Sequence, residues 1–197
     1  IMMQGDNQLA SEISTPQSYF VATDVFDQFK DTNKLTWVMN QKYRSADEIR
    51  ELYPTIKDSF NDGSFPTDIT QELQDLLQRH NGQPIIVRSS SLLEDSYGTS
   101  FAGKYHSYFC ANQATASENL DSLSKAISRI YASVYSPDAL LYRKKMGLLD
   151  YDERMAILIQ VVEGDRHDDW YYPPIAGVAF SKNQYRWTPR INTEEGL

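Results

Sequence analysis

Apolar residues along this chain switch between helical spacing and short unbroken runs, and each pattern predicts a different element. Tyr19, Phe20 and Val21 form a short extended piece. Val25, Phe26 and Phe29 then make a helical stripe that ends near Asn33, with Thr23 expected as its N-cap. Ser45-Ala46-Asp47-Glu48 is a capping box. Its helix is expected to run through Leu52 and Tyr53 and to stop before Pro54, because the residue ahead of a proline is pushed out of helical geometry. Ile69, Leu73, Leu76 and Leu77 fall on one helical face, with Arg79 and His80 late and Asn81-Gly82 as the terminator.

Pro84-Ile85-Ile86-Val87 is a buried strand that delivers Arg88-Ser89-Ser90-Ser91 at its end. A Ser- and Gly-rich loop runs from there to about Lys104, and Tyr105 to Phe109 is a second strand. Thr115-Ala116-Ser117-Glu118 opens the longest helix, with Leu120, Leu123, Ile127, Ile130 and Val134 on one face. Ser136-Pro137 starts another helix that ends at Gly147, proline being suited to the first helical position. Met155 to Val162 is an apolar strand interrupted only by Gln160. Beyond a polar loop, Ile175 to Phe180 is expected to be the strand that pairs with it, and the tail from Lys182 has no strong period. Residues 1–83 read mainly as helix. Helices and strands mix without strict β-α-β alternation, so the fold class is α+β rather than a doubly wound sheet.

A chain of 197 residues makes one domain or two small lobes, and can bury a core without a disulfide or metal. Cys110 is the single cysteine, which excludes an internal disulfide and a cysteine-rich zinc site and suits a reducing compartment. Nineteen basic against 27 acidic residues give a formal charge of −8, a surface that repels phosphate backbones, so nucleic acid is not an expected partner. No apolar run approaches the ~18 residues of a membrane helix. Ile1 to Asp6 lack the basic-then-apolar pattern of a secretory signal. The expectation is a soluble cytoplasmic chain with no membrane partner.

The segment Arg88 to Gly103 is the first candidate for chemistry. An arginine leaving a buried strand, three serines, then Gly98, Thr99, Ser100 and Gly103 would suit an anion cradle, since glycines let the backbone approach and a guanidinium binds two oxygens at once. The bland alternative is a polar loop with an ion pair from Arg88 to Glu94 or Asp95. It is not a Walker loop, for the G-K-[ST] ending is absent. His167-Asp168-Asp169 reads as a solvated hairpin loop, His80 as a helix C-terminal residue, His106 as a strand residue and Cys110 as a small buried one. Tyr171 and Trp187 belong to aromatic clusters that either pack on their own domain or form a binding surface.

The run Val87-Arg88-Ser89-Ser90-Ser91-Leu92-Leu93-Glu94-Asp95-Ser96, continued by Ser100-Phe101-Ala102-Gly103-Lys104-Tyr105, closely resembles a signature of the phosphoenolpyruvate synthase and pyruvate phosphate dikinase family. Three further stretches resemble its motifs in the same order. They are the helix with Tyr142, Arg143 and Gly147, the strand Met155 to Val162, and Ala176-Gly177-Val178-Ala179-Phe180-Ser181. The likeness is strong from about residue 84 to 181, and weaker but collinear before that.

The resemblance implies one ATP-grasp-like, N-terminal nucleotide-binding domain over residues 1–197, of the kind that passes a phosphoryl group from ATP through a histidine to an acceptor such as pyruvate. ATP and Mg2+ are the implied cofactors. Arg88 matches the arginine that contacts ATP phosphates, Ser100, Phe101, Ala102 and Gly103 match the loop that closes over the nucleotide, and Gln160 and Val162 match the adenine side. Two departures stand out. Gln4 occupies the place of the family's nucleotide-binding lysine, and the family's metal-binding and catalytic acids come after the point at which this chain ends in Glu194-Glu195-Gly196-Leu197. The resemblance therefore implies a fragment whose partners include missing downstream domains. It leaves open a degenerate, non-catalytic nucleotide-binding or regulatory module.

Overall fold

The computed structural model describes residues 14–94, 104–151, 153–177 and 182. The chain divides into two compact units, Ile1–Val162 and Glu163–Leu197.

The first unit is a four-stranded antiparallel sheet in the order β1-β4-β2-β3 with helices against one face. Its strands are β1 (Ser18–Val21), β2 (Ile85–Ser90), β3 (Ser107–Cys110) and β4 (Ala156–Val161). The helices are α1 (Thr23–Thr32), α2 (Ala46–Asn61), α3 (Thr67–Arg79), α4 (Ala116–Ser133) and α5 (Pro137–Lys145), with a 3-10 helix at Thr36–Tyr43. Alternation along the strands separates the two faces. Ile85, Val87, Cys110, Ile157, Ile159 and Val161 are buried against the helices, while their neighbours in sequence point to the opposite face.

Aromatic packing knits the helical layer. Phe29 of α1 lies 4.7 Å from Phe65 and 5.8 Å from Phe60, and Phe26 lies 4.8 Å from Tyr131, ring centroid to ring centroid. All except Phe65 are wholly buried. His80, the C-cap of α3, is itself buried and joins that helix end to the sheet: its Nε2 is 2.7 Å from the Tyr19 hydroxyl and its Nδ1 is 3.1 Å from Gln83 Oε1. Cys110 is free and buried, and burial raises the pKa of its thiol. Both capping boxes form, Ser45 with Glu48 and Thr115 with Glu118, and Ser136 caps α5.

Several expectations need correction. α2 does not stop before Pro54 but continues to Asn61, because Ile49, Ile56 and Phe60 share a buried face whose packing outweighs the one backbone donor that proline removes. Thr23 is the first residue of α1 rather than its cap, which is Ala22 with no side-chain bond. The strand partner expected for β4 at Ile175–Phe180 is not there. β1 and β2 occupy both edges of β4, Ile175 to Gly177 lie in no strand, and 178–180 fall outside the described residues. The second unit contains a hairpin of β5 (Asp165–His167) and β6 (Trp170–Tyr172), so that Asp168-Asp169 is the turn of an exposed hairpin, as expected for His167-Asp168-Asp169. In it Asp168 adopts a left-handed turn conformation at φ 54°, and His167 stacks on Tyr172 at 4.3 Å.

Candidate functional site

The sheet face turned away from the helices in the first unit carries the candidate site. β2 and β4 pair with Ile86 opposite Gln160 and Arg88 opposite Leu158, and β1 sets Ser18 opposite Gln160 and Phe20 opposite Leu158. Residues opposite one another in an antiparallel ladder share a face, as do alternate residues of one strand. Arg88 and Gln160 are therefore diagonal neighbours on this open face, where such pairs lie about 7–8 Å apart. Phe20 and Phe109 share the face and are 72% and 71% exposed, which makes it a mixed apolar and cationic surface. Gln160 Nε2 donates to Ser18 Oγ at 3.0 Å.

Arg88 is exposed and forms no ion pair among the described residues. The Glu94 half of the bland alternative is not met: that carboxylate accepts instead from Ser89 Oγ at 3.0 Å and the Ser91 N–H at 3.2 Å. Asp95 lies outside the described residues. The strand runs on through Arg88 to Ser90, so the arginine is held by the ladder and not by a loop. At its end opens a cavity of about 320 Å³, lined by Thr23, Ser90, Ser91, Leu92, Glu153 and Arg154 among others. The Thr23 and Ser90 hydroxyls and the Arg154 guanidinium are hydrogen-bond donors of the sort an anion needs, while the Ser91 hydroxyl is already given to Glu153.

Behind that cavity lies a buried polar cluster. Glu153 is 6% exposed, just ahead of β4. Its Oε1 accepts hydrogen bonds from Ser91 Oγ and, at 3.3 Å, from the Tyr105 hydroxyl. Ser91 Oγ in turn accepts from the Leu93 N–H at 3.1 Å. Burial raises the Glu153 pKa above the usual carboxylate value, against the downward pull of Ser91, Arg143 and Tyr105, with Glu94 adding to the rise. Burial likewise raises the Tyr105 phenol, helped by the charge of Glu153. Arg143 of α5 is equally buried and donates through Nη2 to the Val134 carbonyl. Arg143 Nε and Glu153 Oε2 are both buried without a hydrogen-bond partner.

Of the residues singled out from sequence, Arg88 and Gln160 come together on one face. Val162 follows β4, and its N–H is taken by the Pro84 carbonyl at 2.9 Å. Ser100, Phe101, Ala102, Gly103 and Gln4 lie outside the described residues. Glu153 lies in none of the motifs, and Tyr105 enters only as the end of the signature run, with no role attached to it. Asp152-Glu153-Arg154 has the composition of a solvated strand entry, and only the fold buries its middle member. Among the described residues no group of three or more His, Cys, Asp or Glu could hold a metal ion, and no helix is long and apolar enough to cross a membrane.

Comparison with known proteins adds a family. The model described as the pyruvate phosphate dikinase AMP/ATP-binding domain matches residues 3–196. The chain is 23% identical over 159 residues to a phosphoenolpyruvate synthase of Aquifex aeolicus, covering 75% of this chain and 18% of that protein. It is 25% identical over 174 residues to an uncharacterised phosphotransferase of Bacillus subtilis, covering 87% and 17%. To a rifampicin phosphotransferase of Streptomyces sviceus it is 28% identical over 134 residues, covering 68% and 14%. The chain thus spans less than a fifth of the length of these curated relatives.

Proposed function

The chain belongs to the pyruvate phosphate dikinase AMP/ATP-binding domain family, and from that premise we propose that the open face of its four-stranded sheet is the nucleotide surface of an ATP-grasp-like domain. Arg88 binds the polyphosphate, assisted by the exposed Ser90 hydroxyl at the end of β2, the Ser89 and Ser91 hydroxyls being already given to Glu94 and Glu153. Gln160 and the apolar side chains beside it face the base. The observation that carries this reading is Arg88 itself: its backbone is fixed by the ladder, and its side chain is exposed, on the same face as Gln160 and without an ion pair among the described residues. The planar guanidinium grips two phosphate oxygens at once, which is where its value as a ligand lies.

The activity that fits this domain is phosphoryl transfer from ATP, by way of a histidine on another domain, to an acceptor such as pyruvate. Positioning and charge neutralisation are the main protein contributions to such chemistry. Magnesium ordinarily neutralises part of the charge. The described residues supply no acidic cluster for it, so no step through the ion is assigned to them. Gln4, standing where the family has a lysine, favours a second reading in which the domain binds nucleotide without driving transfer. Titration of the full-length protein with ATP, beside Arg88→Ala, tests the binding site, and phosphorylation of an acceptor separates the two readings. ATP binding untouched by Arg88→Ala would remove the site assignment.

A further inference from the structure

We propose that Glu153 is a positioning residue for nucleotide binding, its buried carboxylate tying Ser91, at the exit of β2, to Tyr105, at the approach to β3. The proposal rests on the nucleotide-binding reading above and names what braces the end of β2 just beyond the ladder-held Arg88.

The ladder between β2 and β3 ends at the pair Arg88 and Ser107. Beyond it, Ser89 and Ser90 are paired only with Ile157 and Ala156 of β4, so the end of β2 loses its backbone bonds on the β3 side just where Arg88 has been placed. Glu153 Oε1 takes over on that side. It accepts from Ser91 on one strand and from Tyr105 on the other, spanning by side chain the gap the backbone leaves. Glu94 reinforces the same turn through Ser89 Oγ and the Ser91 N–H.

An acid is an expensive choice for this task. Glu153 is buried, its Oε2 has no hydrogen-bond partner, and Glu94 adds like charge nearby, against Arg143 as the opposing charge. Glutamine would fill the same space without a buried charge, but its amide oxygen is a weaker acceptor than a carboxylate for two hydroxyl donors. A side chain that tightens the site while weakening the fold follows the usual stability–function trade-off.

The test compares ATP affinity by calorimetric titration with Tm measured without nucleotide, in the full-length protein and its Glu153→Gln, Tyr105→Phe and Arg88→Ala variants. Glu153→Gln should leave Tm unchanged or higher and weaken ATP about 3- to 10-fold, the range of one charge-assisted hydrogen bond reduced to a neutral one. Tyr105→Phe, which deletes a single hydroxyl, should weaken ATP in the same direction. A merely structural Glu153 would lower Tm and affinity together, and that result, or ATP affinity unchanged in both variants, overturns the proposal. The two levels separate cleanly. Binding lost in Arg88→Ala but intact in Glu153→Gln and Tyr105→Phe removes only the clamp, whereas no ATP binding by the unaltered protein removes the nucleotide reading and the clamp with it.

Discussion

Arg88 and Gln160 sit on adjacent strands of one sheet, diagonal to each other on the face turned away from the described helices. The pairing is enforced by register: a slip of one residue between β2 and β4 would send one of them into the core beside Val87 and Ile159. Their relative position is therefore as robust as the hydrophobic core itself.

Arg88→Ala should reduce ATP affinity roughly 10- to 150-fold, the equivalent of about 1.5–3 kcal/mol for a hydrogen bond to a charged group. Stability should hardly change, since the side chain is exposed and forms no ion pair among the described residues. Calorimetric titration and thermal unfolding of the same preparations give both readouts. A large fall in Tm would mean that the arginine serves the fold.

Gly63 is tested by packing. A Cβ built there would stand 2.5 Å from Phe29 Cζ and 3.2 Å from Asn33 Cγ. The Phe29 ring is fully buried among Phe60, Phe65 and Tyr131 and has nowhere to retreat. Gly63→Ala should therefore destabilise by about 1–3 kcal/mol despite adding one methyl group. Phe29→Ala should cost about 3–5 kcal/mol, by lost burial and the cavity left behind. Urea unfolding of the two variants checks the order.

The parts of the fold legible in the sequence are those where local chemistry and tertiary packing agree. Ser45 with Glu48 and Thr115 with Glu118 announced two helix starts, and the apolar runs of β2 and β4 announced two central strands. Legibility failed where packing overrode a local rule, as at Pro54, and where pairing depended on distant chain. Nothing near Ile175 reveals that β1 has already taken the edge of β4. Arg88 stands out because it ends an apolar run, whereas Gln160 merely interrupts one and takes its role from the family resemblance alone. Glu153 was invisible, since its burial and its two hydroxyl donors come from segments 62 and 48 residues away.

Acid should affect the exposed and the buried glutamates in opposite senses. The Thr115 hydroxyl and N–H hold the Glu118 carboxylate, lowering its pKa below the ordinary value of 4.5. A depressed carboxylate stabilises the fold above its unfolded pKa, and that contribution is lost as pH falls through the folded value. The destabilisation caused by Glu118→Gln should therefore be largest above about pH 5 and should shrink in acid. Glu153 is raised by burial, so its contribution is present below the unfolded value and is lost as pH rises through the folded one. Glu153→Gln should then compare most favourably with the unaltered protein at neutral pH. Urea unfolding at a series of pH values reads both trends, and parallel pH profiles for the two variants would contradict them.

Pro54 offers the remaining test, because α2 carries it in its interior between Ala46 and Asn61. A proline there has no N–H to donate to the preceding turn, and its ring crowds the carbonyl four residues back. Pro54 is exposed, so no core contact compensates directly at that position. What keeps the helix running is its buried face, with Ile49 ahead of the proline and Ile56 and Phe60 beyond it. Pro54→Ala restores the missing donor and an unstrained turn. Against this, alanine lets the unfolded chain explore more conformations, which returns about 0.4–1 kcal/mol to the unfolded side. Interior helix propensity favours alanine by about 3 kcal/mol, so the net expectation is a gain of about 1–3 kcal/mol. Chemical denaturation should show a higher midpoint with an unchanged slope. A lower midpoint would mean that α2 needs its proline, and that the helix is shaped by it and not merely tolerant of it.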